Sequence, residues 1–175
     1  SLPPQPIIPA HSGEAAFDIE NKFSLSPLTA RILAVRGFTA DARLEEFLHP
    51  RLARLERPEA LADYEKAIDH LAACVSAGEA VGVFGDYDSD GISSVSLWVL
   101  FFRAIRLPAV TRLAHRDRGY GLTIEDVEFF AASGVRTVIA CDVGSTDHEA
   151  VDAANARGLG LVIVDHHHLQ TPYPK

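Results

Sequence analysis

Cysteine is scarce in this chain: only Cys74 and Cys141 occur among 175 residues. Neither has metal-ligand spacing, which argues against a disulfide scaffold or a thiolate zinc cluster and points to two reduced core thiols of a cytoplasmic protein. Long apolar runs are missing as well. The longest, around Ile92 to Ile105, is too short and too interrupted by serine to cross a bilayer. The Pro-rich start has no apolar stretch of the signal-peptide kind. Positive charge is not in excess: the net charge of −8 argues against broad electrostatic attraction to nucleic acid. No repeat or low-complexity segment is visible. What remains is an ordinary soluble composition, 47% hydrophobic and 23% charged, long enough for one well-buried domain with a small attachment.

The pattern along the chain divides it in three. Residues 1–25 are Pro-rich and then lack clear periodicity, and read as a tail or linker. Residues 26–78 read as a small helical region. Ser26 and Pro27 open a helix that stops at Gly37, a second runs from about Thr39 to Leu48, and a third from about Asp63 to Ala77 ends at Gly78. From residue 79 onward short apolar runs alternate with helices. Strands are expected over 80–84, 109–113, 137–141 and 159–164; helices are expected over 92–106 (largely buried), 123–133 and 147–157. Such alternation predicts an α/β fold of three layers, a mainly parallel sheet covered by helices on both faces. Ligands in these sheets collect beyond the carboxyl ends of the strands.

Three of those strand ends are chemically marked. The first opens into Asp86-Tyr87-Asp88-Ser89-Asp90-Gly91, the third into Asp142-Val143-Gly144, and the fourth into Asp165-His166-His167-His168. Two carboxylates about 5 Å apart at an effective dielectric near 20 repel by roughly 3 kcal/mol. The aspartate triplet therefore points to a bound divalent cation. Carboxylates and imidazoles without thiolate suit Mn²⁺ or Mg²⁺, with zinc also compatible. Separately, five arginines (103, 106, 112, 116 and 118) fall between residues 103 and 118 against one acid, Asp117. Arg103 and Arg106 suit a helix C-terminus, and a phosphate-contacting role is the alternative, favoured for Arg116 and Arg118.

Two familiar patterns are disfavoured. An EF-hand loop opening with Asp-x-Asp-x-Asp-Gly needs Glu at its twelfth position, which here is Leu97. A haloacid dehalogenase-type phosphatase would need a downstream lysine, and the sole lysine after Asp90 is Lys175.

The ordered set Gly-Asp-Tyr-Asp-Ser-Asp-Gly (85–91), Arg-Gly-Tyr-Gly-Leu (118–122), Cys-Asp-Val-Gly (141–144) and Val-Asp-His-His (164–167) resembles the successive motifs of the DHH phosphoesterase superfamily. Upstream, Ser26-Pro-Leu-Thr-Ala-Arg-Ile-Leu-Ala-Val-Arg-Gly, Glu46-Phe-Leu-His-Pro and Leu61-Ala-Asp-Tyr-Glu-Lys-Ala are similar to the helical lead-in of RecJ-like single-strand-specific DNA exonucleases. The likeness runs from about residue 24 to the end. It implies metal-dependent phosphodiester hydrolysis, 5′→3′ on single-stranded DNA with release of 5′-mononucleotides in repair and recombination. It also implies two cations, Mn²⁺ or Mg²⁺. Asp88 and Asp142 would hold one and Asp90, Asp142 and His166 the other, with Asp142 bridging. His167 would contact the scissile phosphate or support a metal, Asp165 would orient an imidazole, and Asp86 would stand behind the ligands. Gly91 and the amides opening the next helix, with Ser93 and Ser94, would assist with phosphate, as would Arg116 or Arg118. Single-stranded DNA is the implied partner, with a single-stranded-DNA-binding protein and a helicase as further candidates and no membrane.

The chain departs from the family pattern in places. Phe84 stands where some relatives carry a metal-binding His, a position that is often apolar in RecJ-like members. The segment from arginine to Gly-Tyr-Gly is one residue short, which leaves the choice between Arg116 and Arg118 open. The family's further metal-binding Asp and C-terminal substrate domain lie beyond Lys175, so the chain reads as the N-terminal part of a catalytic core that is expected to be inactive alone. Two rivals remain: a DHH phosphodiesterase for short oligonucleotides or cyclic dinucleotides, and a RecJ-like replication scaffold without catalysis. The helical lead-in argues against the first and the intact acids and histidines against the second.

Overall fold

A computed structural model describes residues 13–168, apart from the side chain of Arg118. It divides into two compact units, the first ending at Ala60 and the second beginning at Leu61.

In the first unit, α1 (Gly13–Phe23), α2 (Pro27–Val35) and α3 (Ala42–Leu48) share a core of Ala16, Ile19, Ala30, Leu33 and Leu44. Ser26 caps α2 as expected, its hydroxyl accepting from Thr29 N–H, and Asp41 caps α3 through Leu44 N–H. Residues 13–23 correct the sequence reading, which assigned them to a linker: they form a helix with Ala16 and Ile19 buried. Asp18, Glu20, Asn21 and Lys22 dilute its apolar stripe and hide the helical period. The earlier part of the expected Pro-rich tail, residues 1–12, lies outside the described residues.

The second unit opens with α4 (Tyr64–Ala77), closed by Gly78 in the left-handed conformation. Four parallel strands follow, β1 (Val81–Gly85), β2 (Ala109–Leu113), β3 (Thr137–Cys141) and β4 (Gly160–Val164), in the order β2-β1-β3-β4. The period-2 alternation of side chains decides which helix each strand residue meets. Val81, Val83, Ile139 and Cys141 turn to one face and pack with Cys74 of α4 and with Val95 and Phe102 of α5 (Ser89–Ala104). Phe84, Val138 and Ala140 turn to the other, against Val127 and Phe130 of α6 (Ile124–Ala132) and Ala150 and Ala154 of α7 (His148–Ala156). The chain thus has the expected α/β/α layers, with helices on both faces of the sheet.

Two details differ from the sequence reading. The α4 helix was expected in a separate helical region ending at 78, yet Leu71 and Cys74 pack into the sheet core, so this compact unit starts before the first strand. Its Ile68 and Val75 are exposed. The α5 helix was expected to be largely buried, but Leu97, Leu100 and Phe101 are exposed. Apolar side chains run around all of α5, and a sheet can cover only one side of a helix. Among the described residues no helix is long and apolar enough to cross a membrane.

Candidate metal centre

Close packing at the carboxyl end of β1 brings the first acids into place. A Cβ on Gly91 would lie 2.4 Å from the backbone of Asp86, and one on Gly85 would lie 2.7 Å from the carbonyl of Gly91. Only glycine at both positions lets the start of α5 press against the strand end. Asp88 caps that helix, its Oδ1 accepting from Asp90 N–H at 3.0 Å and Gly91 N–H at 3.1 Å. The Gly91 amide bond, foremost, holds the Asp88 carboxyl below its ordinary pKa.

Asp142 follows β3 in the left-handed conformation (φ +63°), which Asp tolerates better than most residues. Its side chain is only 6% exposed. Oδ1 lies 3.1 Å from His166 Nε2 and 3.8 Å from His167 Nδ1, but it receives no hydrogen bond of acceptable geometry. Burial, reinforced by the Asp88 carboxylate, pushes the Asp142 carboxyl above its usual range. Asp86 Oδ1 is likewise buried without a partner. Two buried carboxylate oxygens left unpaired at one strand edge are costly unless a cation or ordered water meets them.

The loop after β4 carries the imidazoles. Asp165 Oδ2 accepts from Ser145 N–H at 3.1 Å, and its Oδ1 accepts from His167 N–H at 3.1 Å and sits 2.7 Å from His167 Nδ1. Burial opposes ionisation of Asp165, yet the hydrogen bonds from His167 and Ser145 prevail and hold it at about 2. An ionised Asp165 can only accept, so His167 Nδ1 carries a proton. The Asp165 contact raises the His167 pKa.

One ligand atom each from Asp142, His166 and His167 can be chosen so that all lie within 4.8 Å of one another. Asp88 interacts directly with Asp142, and Asp90 Oδ2 is 4.0 Å from His166 Nε2. These donors, together with the orphaned Asp142 Oδ1, fit a hard divalent cation. Cys141 is adjacent in sequence but faces the opposite way into the core, where burial raises its thiol to about 11.

Other expected phosphate contacts are engaged elsewhere. The amides of Asp90 and Gly91 are capped by Asp88, and Ile92 N–H donates to the Asp88 carbonyl. Ser93 donates to the carbonyls of Ser89 and Asp90 within its own helix. Arg116 stacks over the Tyr87 ring, 5.2 Å from its centroid; the side chain of Arg118 is outside the described residues. Arg103 lies in the last turn of α5, while Arg112 bonds Asp126 at 2.6 Å and Glu125 at 3.1 Å. Sequence reasoning gave no role to Tyr120, whose hydroxyl donates to the Asp142 carbonyl at 2.8 Å. Its flanking glycines were the available clue.

The profile of the DHH family, N-terminal domain, matches residues 80–175. The chain belongs to the DHH family. Within it, the chain is 31% identical over 145 residues to the single-stranded-DNA-specific exonuclease RecJ of Escherichia coli, covering 82% of this chain and 24% of that protein. It is 33% identical over 147 residues to the RecJ of Dickeya dadantii, covering 82% and 25%. The chain therefore spans about a quarter of the length of the curated relatives it matches. The crystal structure of RecJ from Thermus thermophilus in complex with Mn²⁺ shares the fold, with a TM-score of 0.59 at 22% identity over 92% of this chain and 22% of that one. The DHH match begins at residue 80, next to the boundary expected from the sequence, although the compact unit also takes in α4.

Proposed function

We propose that this DHH chain is the N-terminal part of the catalytic core of a cytoplasmic exonuclease that hydrolyses single-stranded DNA 5′→3′ and releases 5′-mononucleotides in repair and recombination. The observation that carries the reading is the orphaned, buried Oδ1 of Asp142, set among Asp88, His166 and His167 at adjoining strand ends. Similarity to the RecJ exonucleases supports the substrate class.

In this reading Asp88 and Asp142 hold one divalent cation and Asp90, Asp142 and His166 a second, Mn²⁺ or Mg²⁺. Such cations supply an activated water and offset the charge that develops at phosphorus. The protein's own part is to fix the donors. Asp88 is held ionised by the α5 amides. Asp142 is buried with its Oδ1 accepting no hydrogen bond. Asp165 holds the ring of His167 through Nδ1, and His167 contacts phosphate or supports a metal. Asp86 stands behind them as a second buried acceptor, and Arg116 or Arg118 binds a substrate phosphate. A single-stranded-DNA-binding protein and a helicase are the partners this role would bring.

The test is an assay of the full-length protein with Mn²⁺ on 5′-labelled single-stranded, duplex and dinucleotide substrates. Mn²⁺-dependent release of 5′-labelled mononucleotide from single strands, abolished by EDTA, is expected. Cleavage of dinucleotides alone would overturn the exonuclease assignment, and no cleavage at all would favour a scaffold.

A further inference from the structure

Tyr120 connects the two halves of the metal centre. It sits between Gly119 and Gly121, whose φ values of +95° and +97° carry the chain through a turn that a side-chain-bearing residue rarely adopts. That turn is latched from α7's side: Leu122 N–H donates to Asp147 Oδ2 at 2.7 Å, and a Cβ on Gly121 would lie 2.7 Å from Asp147 Oδ1. The loop therefore presents Tyr120 from a fixed base. Its hydroxyl lies 2.8 Å from the Asp142 carbonyl and 3.0 and 3.1 Å from the ring nitrogens of His167. A carbonyl can only accept, so the one phenolic proton is committed to Asp142. The imidazole ring of His167 packs edge-on against the tyrosine with centroids 5.4 Å apart.

Asp142 is the residue that most needs such a tether. Its backbone is left-handed (φ +63°), and its buried carboxylate repels that of Asp88. Released from the carbonyl contact, the residue can relax toward an ordinary backbone conformation and swing its carboxylate out of the cluster. We propose that Tyr120 is a positioning residue: its hydroxyl, bonded to the Asp142 carbonyl, locks Asp142 in the left-handed turn and so preorganises the cation donors. This rests on the metal-dependent reading above.

The decisive variant is Tyr120→Phe in the full-length protein, which keeps the ring and removes only the hydroxyl. Mn²⁺ affinity is measured by calorimetric titration, alongside steady-state cleavage of single-stranded DNA and the thermal midpoint in EDTA. Outer partners of metal ligands typically contribute about 10–100-fold to affinity or activity. Mn²⁺ binding weaker by about ten-fold or more, kcat reduced, KM for DNA nearly unchanged and an unaltered midpoint in EDTA are expected. Unchanged Mn²⁺ affinity overturns the proposal, as does a loss matched by a lower midpoint in EDTA, which marks a merely structural contact. If the unsubstituted protein binds Mn²⁺ but cleaves no DNA, the exonuclease reading falls, and the affinity comparison still decides the role of Tyr120. If it binds no Mn²⁺, both fall.

Discussion

The same four strands end in two different chemistries. At their amino ends polar groups are paired. Thr137 Oγ1 is buried but lies 2.8 Å from His70 Nε2 and 3.3 Å from Cys74 Sγ. Arg136 faces Glu79 at 3.6 Å, and Arg157 pairs with Glu128 at 2.9 Å. At their carboxyl ends Asp86 and Asp142 each keep a buried oxygen without a hydrogen bond, and Asp142 also holds an uncommon backbone conformation. A fold that satisfies buried polar groups at one end and leaves them open at the other has put its stability and its function in different places.

The contrast is sharpest at Asp142. Asp142→Asn in the full-length protein is expected to lower nuclease activity by at least about 100-fold, the top of the range for even an outer partner of a metal site. The same change should raise the thermal midpoint in EDTA, because it removes a buried charge repelled by Asp88, and Asn tolerates the left-handed turn. A fall in both quantities would show that Asp142 belongs with the paired groups. At the opposite end, Thr137→Val is expected to cost about 0.5–1.5 kcal/mol by removing the hydrogen bond to His70. Denaturant unfolding would measure this, with kcat per folded molecule unchanged; a change in kcat would breach the separation of the two ends.

Asp165 is the exception that tests the rule, since it is a paired acid at the functional end. Its folded pKa of about 2 lies below the ordinary carboxyl value of 3.8. Its contribution is therefore complete above the unfolded pKa and lost as pH falls toward about 2, and it amounts to at most about 2 kcal/mol. Acid unfolding of the metal-free protein should show this loss between about pH 4 and pH 2, and Asp165→Asn should flatten it. An unchanged acid limb would mean that the Asp165–His167 contact contributes no stability. The smallest effect is expected for the exposed Arg157–Glu128 pair. Arg157→Ala should shift stability by less than about 1 kcal/mol and that shift should shrink in salt, as unfolding at two ionic strengths would reveal.

Much of this arrangement was legible beforehand, and the reason is periodicity. Thr137 to Cys141 and Ala109 to Leu113 read as strands because short β-rich runs between turn residues have few other uses. Ser26, Thr123 and Gly78 marked helix ends because capping chemistry is local. The α1 helix was missed because only Ala16 and Ile19 of its apolar face are fully buried, so its pattern is too sparse to separate from a linker. The exposure of α5 was missed because an all-round apolar helix does not reveal which side the sheet covers.

The sequence by itself determined the parallel α/β layering and the placing of acids and histidines at strand ends, since both follow from local pattern and chain order. Only the tertiary structure decided how those residues divide their work. Asp88 became a helix cap facing Asp142, and Asp165 took the ring of His167. The amides and Ser93, expected to meet phosphate, closed their bonds within the chain. Tyr120 reached Asp142 from another loop. Each outcome depends on distances of about 3 Å between residues far apart in sequence, and hydrogen bonds fall away too steeply with distance and angle for spacing along the chain to specify them.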